Sequence, residues 1–207
     1  MCILRSCEIN MDKTSGSQDT VFPEHQSTLI QHPLNSVYSI WLRVPNKGSF
    51  LEFANSFVQI STFNTVEQFW SQYLHLKISN NQSSFDLCIF KQNILPMWED
   101  KMNAEGGMLE IFSHTMDFAL LFEKLTLYMI GEQLLPYDLV NGIYCRYRKT
   151  PSNRTVVQLW LKDYNEKLNE MIISSIKRSI CSECGSKLRF KTMKNVDQLT
   201  YAREHTA

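Results

Sequence analysis

Pro96-Met97-Trp98-Glu99-Asp100 is the stretch whose residue types could do chemistry. The Trp98 indole offers a flat, electron-rich face. The neighbouring Glu99 carboxylate can accept two parallel hydrogen bonds from a planar donor edge. Together they suit a flat, cationic ligand that carries such an edge, for example an alkylated purine. The plainer reading of the same residues is a core tryptophan beside two solvated acids, because buried aromatics outnumber ligand-stacking ones.

A second group lies later in the chain. Arg146, Arg148, Lys149 and Arg154 flank the turn-like stretch Thr150-Pro151-Ser152-Asn153. Strand alternation puts Arg146 and Arg148 on one face, where clustered cations could hold phosphates. Taken alone, these residues also fit a solvated hairpin end. Cys181-Ser182-Glu183-Cys184-Gly185 has the look of half a zinc knuckle, but a structural site needs four ligands and no second close pair exists. The reading is therefore loop thiols and no metal. His25, His32, His75, His114 and His205 are isolated, with no pair at metal spacing. There is no glycine-rich phosphate loop before a helix and no nucleophile elbow, so no catalytic chemistry is visible and the chain reads as a non-enzyme that needs no cofactor.

Both groups sit between stretches that read as regular structure. Val37 to Val44 alternates, with Tyr38, Ile40, Leu42 and Val44 on one side and Trp41 on the other, and predicts a strand. Phe57 to Ile60 predicts a short strand. Asn64 to Leu76 predicts a helix: Asn64 and Glu67 have capping-box spacing, and Val66, Phe69, Trp70, Tyr73 and Leu74 recur at helical intervals. Phe85 to Phe90 predicts a strand, Lys91 to Glu105 a loop holding Trp98, and Gly106 to Phe112 another strand. Met116 to Glu132 predicts a second helix with Gly131 at its C-terminal end. Leu139 to Arg148 and Thr155 to Leu161 predict a hairpin. Tyr164 to Ile180 predicts a third helix, and Lys187 to Met193 a last strand. Each helix has one apolar face. The economical architecture is α+β: a single curved, mostly antiparallel sheet with three helices packed on one face and the other face left for a ligand.

Composition narrows the class. The 207 residues fit one domain plus tails: a polar tail over 1–31, a domain over 32–196 and a tail over 197–207. Lys plus Arg number 21, as do Asp plus Glu, so the formal charge is zero. A generic polyanion binder would need a basic excess, so any nucleic-acid contact must be local and specific. No apolar run approaches the ~20 residues that span a bilayer, and the N-terminus lacks the sustained apolar segment of a secretory signal. Six scattered cysteines do not resemble a disulfide framework, which points to reduced thiols in the cytoplasm or nucleus.

These pieces coincide in one known pattern. The chain resembles the translation initiation factor 4E family, which binds the 7-methylguanosine cap of messenger RNA. The resemblance rests on His32-Pro33-Leu34, Thr65-Val66-Glu67-Gln68-Phe69-Trp70, Pro96-Met97-Trp98-Glu99-Asp100, Gly106-Gly107, Ile130-Gly131-Glu132 and Trp160, in family order and at near-family spacing. It implies a cupped-hand sheet with three helices on its convex face. It further implies a methylated guanine sandwiched between Trp98 and Phe53, Glu99 on the guanine donor edge, Trp160 at the N7-methyl group, and Arg148 on the phosphates, with Lys149 and Arg154 nearby in a longer hairpin. It implies a convex surface made by His32, Pro33, Val66, Trp70, Leu127, Ile130 and Gly131. That surface would take a Tyr-x4-Leu-hydrophobic helix from scaffold factor 4G or from binding proteins that compete with it. Several positions depart from the family pattern. Phe53 and Tyr38 replace usual tryptophans, Met108 stands where many members carry an arginine, Leu109 replaces a tryptophan, and Glu123-Lys124 replaces a Leu-Glu pair. The resemblance, with these departures, implies either an initiation factor with weakened cap binding, a cap-binding repressor, or an interaction module that has lost cap affinity.

Overall fold

A computed structural model describes residues 30–44, 55–76, 83–114, 118–148, 154–179 and 187–192. Phe53, Lys149, Cys181, Cys184, residues 1–29 of the expected N-terminal tail and the whole expected tail over 197–207 lie outside the described residues. Among the described residues, seven strands form one antiparallel sheet: β1 (Pro33–Arg43), β2 (Phe57–Thr65), β3 (Phe85–Lys91), β4 (Gly107–His114), β5 (Val140–Tyr147), β6 (Arg154–Leu161) and β7 (Lys187–Thr192). Their order across the sheet is β2-β1-β3-β5-β6-β4-β7. Three α-helices accompany it there: α1 (Val66–Tyr73), α2 (Phe118–Ile130) and α3 (Glu166–Ser179). The expected α+β architecture is the one observed.

Strand alternation sorts the core into two clusters, one on each face. On the convex face, Tyr38, Ile40, Leu87, Ile89, Ile143, Leu109, Ile111, Val157 and Leu159 meet the inward side chains of all three helices. From α2 these are Phe118, Leu121, Phe122, Leu125 and Met129, spaced at helical intervals; α1 contributes Phe69 and Tyr73, and α3 contributes Ile172 and Ile176. An eight-residue helix such as α1 is too short to persist alone, so this burial, worth about 1.5–3 kcal/mol per large side chain, is what fixes it. The concave face carries a smaller cluster of Cys88, Phe90, Ile94, Met108, Tyr144 and Trp160. β3 lies between β1 and β5 and is buried on both sides from Phe85 to Phe90.

Two local expectations need correction. β2 runs to Thr65, well past Ile60, because it pairs with β1 across an irregularity between Ile40 and Trp41 that lets pairing resume at Ser61. The N-cap of α1 is Thr65, not Asn64: the Thr65 hydroxyl accepts from the Gln68 amide (3.2 Å), and Gln68 Oε1 accepts from the Asn64 amide (2.9 Å). Glu67 is thereby released to bind His32, accepting from its amide (2.9 Å) and contacting Nδ1 (2.6 Å). Gly131 stands at the C-terminal end of α2, as expected, and the left-handed residue beside it is Glu132 (φ 54°). The Gln133 amide donates to Tyr128 O (2.8 Å) and the Glu132 amide to Met129 O (3.1 Å), closing the helix in a Schellman arrangement. The Glu132 carboxylate accepts from Asn35 Nδ2 (2.8 Å), tying that end to β1. Among the described residues no helix is long and apolar enough to cross a membrane.

Candidate functional site

Residues 92–106 carry Trp98 from β3 to β4, and internal hydrogen bonds give this connection its shape. Asp100 accepts from the amides of Leu95 (2.9 Å) and Met102 (2.8 Å). Buried Asn103 donates through Nδ2 to the carbonyls of Leu95 (2.9 Å) and Met97 (2.8 Å). Asn141 of β5 donates to Met102 O (2.7 Å) and Asn103 Oδ1 (2.9 Å), anchoring the loop to the sheet. Of the two acids beside Trp98, then, Asp100 is a loop brace, while Glu99 stays exposed. Asn103 and Asn141 had no sequence signal as site residues, because their partners are brought close only by the fold.

Trp98 is half-buried and packs against the concave aromatic cluster. Within that cluster, Trp160 stacks on Tyr144 (centroids 5.8 Å apart, planes 11° apart) and meets Phe90 edge-on at 5.5 Å. The Trp160 indole N–H donates to Gln158 Oε1 (3.1 Å), and Gln158 Nε2 donates to Glu110 Oε1 (3.1 Å), all within the buried face. Gly142 is needed here. A Cβ at that position would stand 2.3 Å from the Phe90 ring, so only glycine lets the ring lie across the floor. Met108, paired in register with Trp160, completes the floor with an apolar side chain. Burial pushes the Cys88 thiol well up, which keeps it protonated and unreactive.

At the other end of the concave face, buried Asp86 accepts from the guanidinium groups of Arg43 and Arg148 and from the Tyr144 hydroxyl (2.7 Å). Arg148 Nη1 also donates to the carbonyls of Phe85 (3.2 Å) and Tyr147 (2.9 Å). Arg148 is thus built into a charged hub, with its side chain about a quarter exposed (27 %). Arg154 opens β6, paired in register with His114. Burial also raises the Tyr144 hydroxyl, so it stays a donor to Asp86.

The expected partner residues gather on the convex side. Trp70 of α1 is half-buried, edge-on to Phe69 (5.0 Å) and Tyr73 (6.0 Å). Val66 and Leu127 are half-buried, Ile130 is buried, and Gly131, His32 and Pro33 are exposed. The backbone joins two of these segments, since the Val66 amide donates to His32 O (3.0 Å). Glu123 is half-buried against the Tyr73 hydroxyl, which is raised by burial first and by this carboxylate second, and Lys124 is exposed.

A single antiparallel sheet, backed by three helices on one face and carrying an aromatic floor with a charged rim on the other, defines a helix-backed α+β protein. The chain matches the family model "Eukaryotic initiation factor 4E" over residues 33–206 and belongs to that family. It is 34 % identical to Eukaryotic translation initiation factor 4E1 of Drosophila melanogaster over 72 % of this chain and 56 % of that protein. It is 32 % identical to Eukaryotic translation initiation factor NCBP of Arabidopsis thaliana over 83 % of this chain and 80 % of that one. The match to the human factor 4E is 39 % identical and spans 46 % of this chain and 42 % of that protein. The matches thus take in about half the length of the fly and human relatives. Among structures, C. elegans eIF4E-3 in complex with the 4E-binding protein Mextli and cap analog superposes with a TM-score of 0.74, at 26 % identity over 82 % of this chain and 96 % of that one. Ascaris suum eIF4E-3 with the m7G cap gives 0.70, at 25 % identity over 79 % and 92 %.

Proposed function

We propose that this chain binds the 7-methylguanosine cap of messenger RNA and works as a translation initiation factor, a binding protein and not an enzyme. Residues 32–196 form the cap-binding domain, active in the cytoplasm or nucleus. The base stacks on Trp98, with Phe53 as the second ring; Glu99 accepts from the guanine ring N–H and exocyclic amine; Trp160 lies at the N7-methyl group; Arg148, Lys149 and Arg154 attract the phosphates. N7-methylation makes the base cationic. Stacking worth ~1–3 kcal/mol per base then gains about 0.5–2 kcal/mol of cation–π attraction that plain guanine lacks. Adenine has no donor edge for Glu99. The observation that carries this reading is the half-buried Trp98 at the margin of the aromatic floor, with exposed Glu99 beside it on a braced loop. The cap-bound eIF4E-3 structures from nematodes support it.

On the convex side, His32, Pro33, Val66, Trp70, Leu127, Ile130 and Gly131 would receive a Tyr-x4-Leu-hydrophobic helix from scaffold factor 4G or a competing binding protein. The C. elegans complex with Mextli supports a partner of this kind. A second reading, a repressor that occupies caps without productive scaffold binding, draws on Glu123 and Lys124, which put two charges beside that surface. Pull-down with a scaffold peptide separates the two, since binding supports the factor and its absence the repressor.

Tryptophan-fluorescence titration with 7-methyl-GTP, beside GTP and a Trp98→Ala variant, tests the cap-binding reading. The expected result is saturable quenching, stronger for the methylated ligand and lost in the variant. Equal response to both nucleotides, or none in folded protein, would sink it.

A further inference from the structure

The charges on the convex side are not equivalent. Glu67, Glu123 and Glu132 border the proposed partner surface, and each is already engaged. Glu67 accepts from the His32 amide (2.9 Å) and contacts its ring (2.6 Å). Glu123 is hydrogen-bonded to the Tyr73 hydroxyl of α1, and Glu132 accepts from Asn35 Nδ2 (2.8 Å). Lys124 is the contrast. It is exposed and forms no ion pair among the described residues. Its neighbours one turn away on α2 are Leu120, Leu121, Leu127 and Tyr128. None is acidic, so the helix gives the ammonium no i,i+3 or i,i+4 partner. Leu120, one turn before it, is 54 % exposed, and half-buried Leu127 follows three residues later. Leu120, Lys124, Leu127 and Gly131 therefore run as one stripe along the outer side of α2, continuous with the partner surface at Leu127. The stripe is two apolar anchors with an uncompensated cation between them.

Building on the partner reading above, we infer that Lys124 selects among partners: the helix that docks here carries an acidic side chain opposite Lys124, in the turn between the residues that pack on Leu127 and Leu120. A purely apolar helix would cover the ammonium without compensating it, and a basic residue there would add repulsion. An aspartate or glutamate turns the same position into an attractive contact. At an exposed rim such a contact adds little total affinity, so its effect lies in discrimination. The two neighbouring charges thus divide their roles. Glu123 belongs to the contact between α1 and α2, and Lys124 faces the partner.

The test measures fluorescence anisotropy of labelled helical peptides with the full chain and with the variants Lys124→Glu, Lys124→Gln and Trp70→Ala. All peptides share the Tyr-x4-Leu-hydrophobic pattern. Glu, Gln or Lys is placed singly at each remaining position, which scans for the one opposite Lys124. At that position the Glu peptide should bind wild type about three- to tenfold more tightly than the Lys peptide, with Gln between. The difference should shrink as salt is raised. Lys124→Glu should reverse the order and Lys124→Gln should level it. Both variants should keep the wild-type unfolding midpoint, since the position is exposed. A peptide ranking that is the same in wild type and Lys124→Glu, or no position at which charge matters, would overturn the inference while the partner reading stands. Wild-type protein that binds none of the peptides, or binding that Trp70→Ala leaves intact, would overturn the partner reading itself, and this inference with it.

Discussion

The two faces of the sheet are held together by different physics. The convex face is closed by apolar side chains from three helices, with Phe122, Leu125, Leu109 and Ile111 fully buried. The concave face is organised by polar atoms buried among rings: Asp86 serving two arginines and a tyrosine, and Trp160 linked through Gln158 to Glu110. Burial of hydrocarbon is forgiving of chemical detail as long as volume is kept. A buried charge network is not, because loss of one member leaves the others desolvated and uncompensated. A binding site placed on the second kind of face gains rigid donors at the cost of tolerance to mutation.

That contrast can be broken in graded steps. The largest effect should come from Asp86→Asn, which keeps the shape but removes the charge that Arg43 and Arg148 face. Urea unfolding should lose about 3–5 kcal/mol; a cost no larger than that of an ordinary surface change would contradict the hub. Next is Gly142→Ala, whose new methyl group must displace the Phe90 ring. It should cost about 1–3 kcal/mol and reduce quenching by 7-methyl-GTP, since the floor around Trp160 shifts. On the convex face, the volume-conserving Leu125→Met should cost less than about 1.5 kcal/mol and leave ligand titrations unchanged. If it cost as much as Asp86→Asn, the distinction between the faces would fail.

The smallest effect lies at the entrance to β1. Hydrogen bonds from His32 hold the Glu67 carboxyl at about 2, against an ordinary 4.5. A carboxyl lowered in the folded state contributes stability that is complete above 4.5 and is lost as pH falls toward 2. Glu67→Gln should therefore flatten the acid limb of the stability profile in that window, and the gap from wild type should close at its lower end. Unfolding midpoints measured across the window read this directly. Parallel acid limbs for the two proteins would mean that the His32–Glu67 contact is not maintained in solution.

Much of the architecture was legible because its signals are local. Alternation in Val37 to Val44 and Phe85 to Phe90, helical spacing from Val66 to Tyr73, and the turn residues around Pro151 all sit within a few positions of one another. β1, β3, α1 and the β5–β6 pair are where those signals put them. Trp98 and Trp160 were legible as types, and the shared apolar floor that joins them is found in the structure. The Asp86 hub was not legible. Its partners stand 43, 58 and 62 residues away, so no local spacing joins them. The same limit hid the true cap of α1. The spacing marks Asn64, but β2 runs on through Thr65, and only where that strand ends fixes the first helical residue.

The strand order has a consequence for how the chain comes into being. β3 and β4 are consecutive in sequence, yet β5 and β6 lie between them in the sheet. The Trp98 connection must therefore stretch across the ends of two strands that are synthesised after it, and its anchor, Asn141, comes 38 residues after Asn103. A nascent chain that stops before Trp160 has Trp98 but only part of the floor it packs against. Contacts of this sequence range form late. The concave floor should thus be completed in one step once β6 has been made, and Trp98 emission should report that closure of the sheet rather than its first collapse.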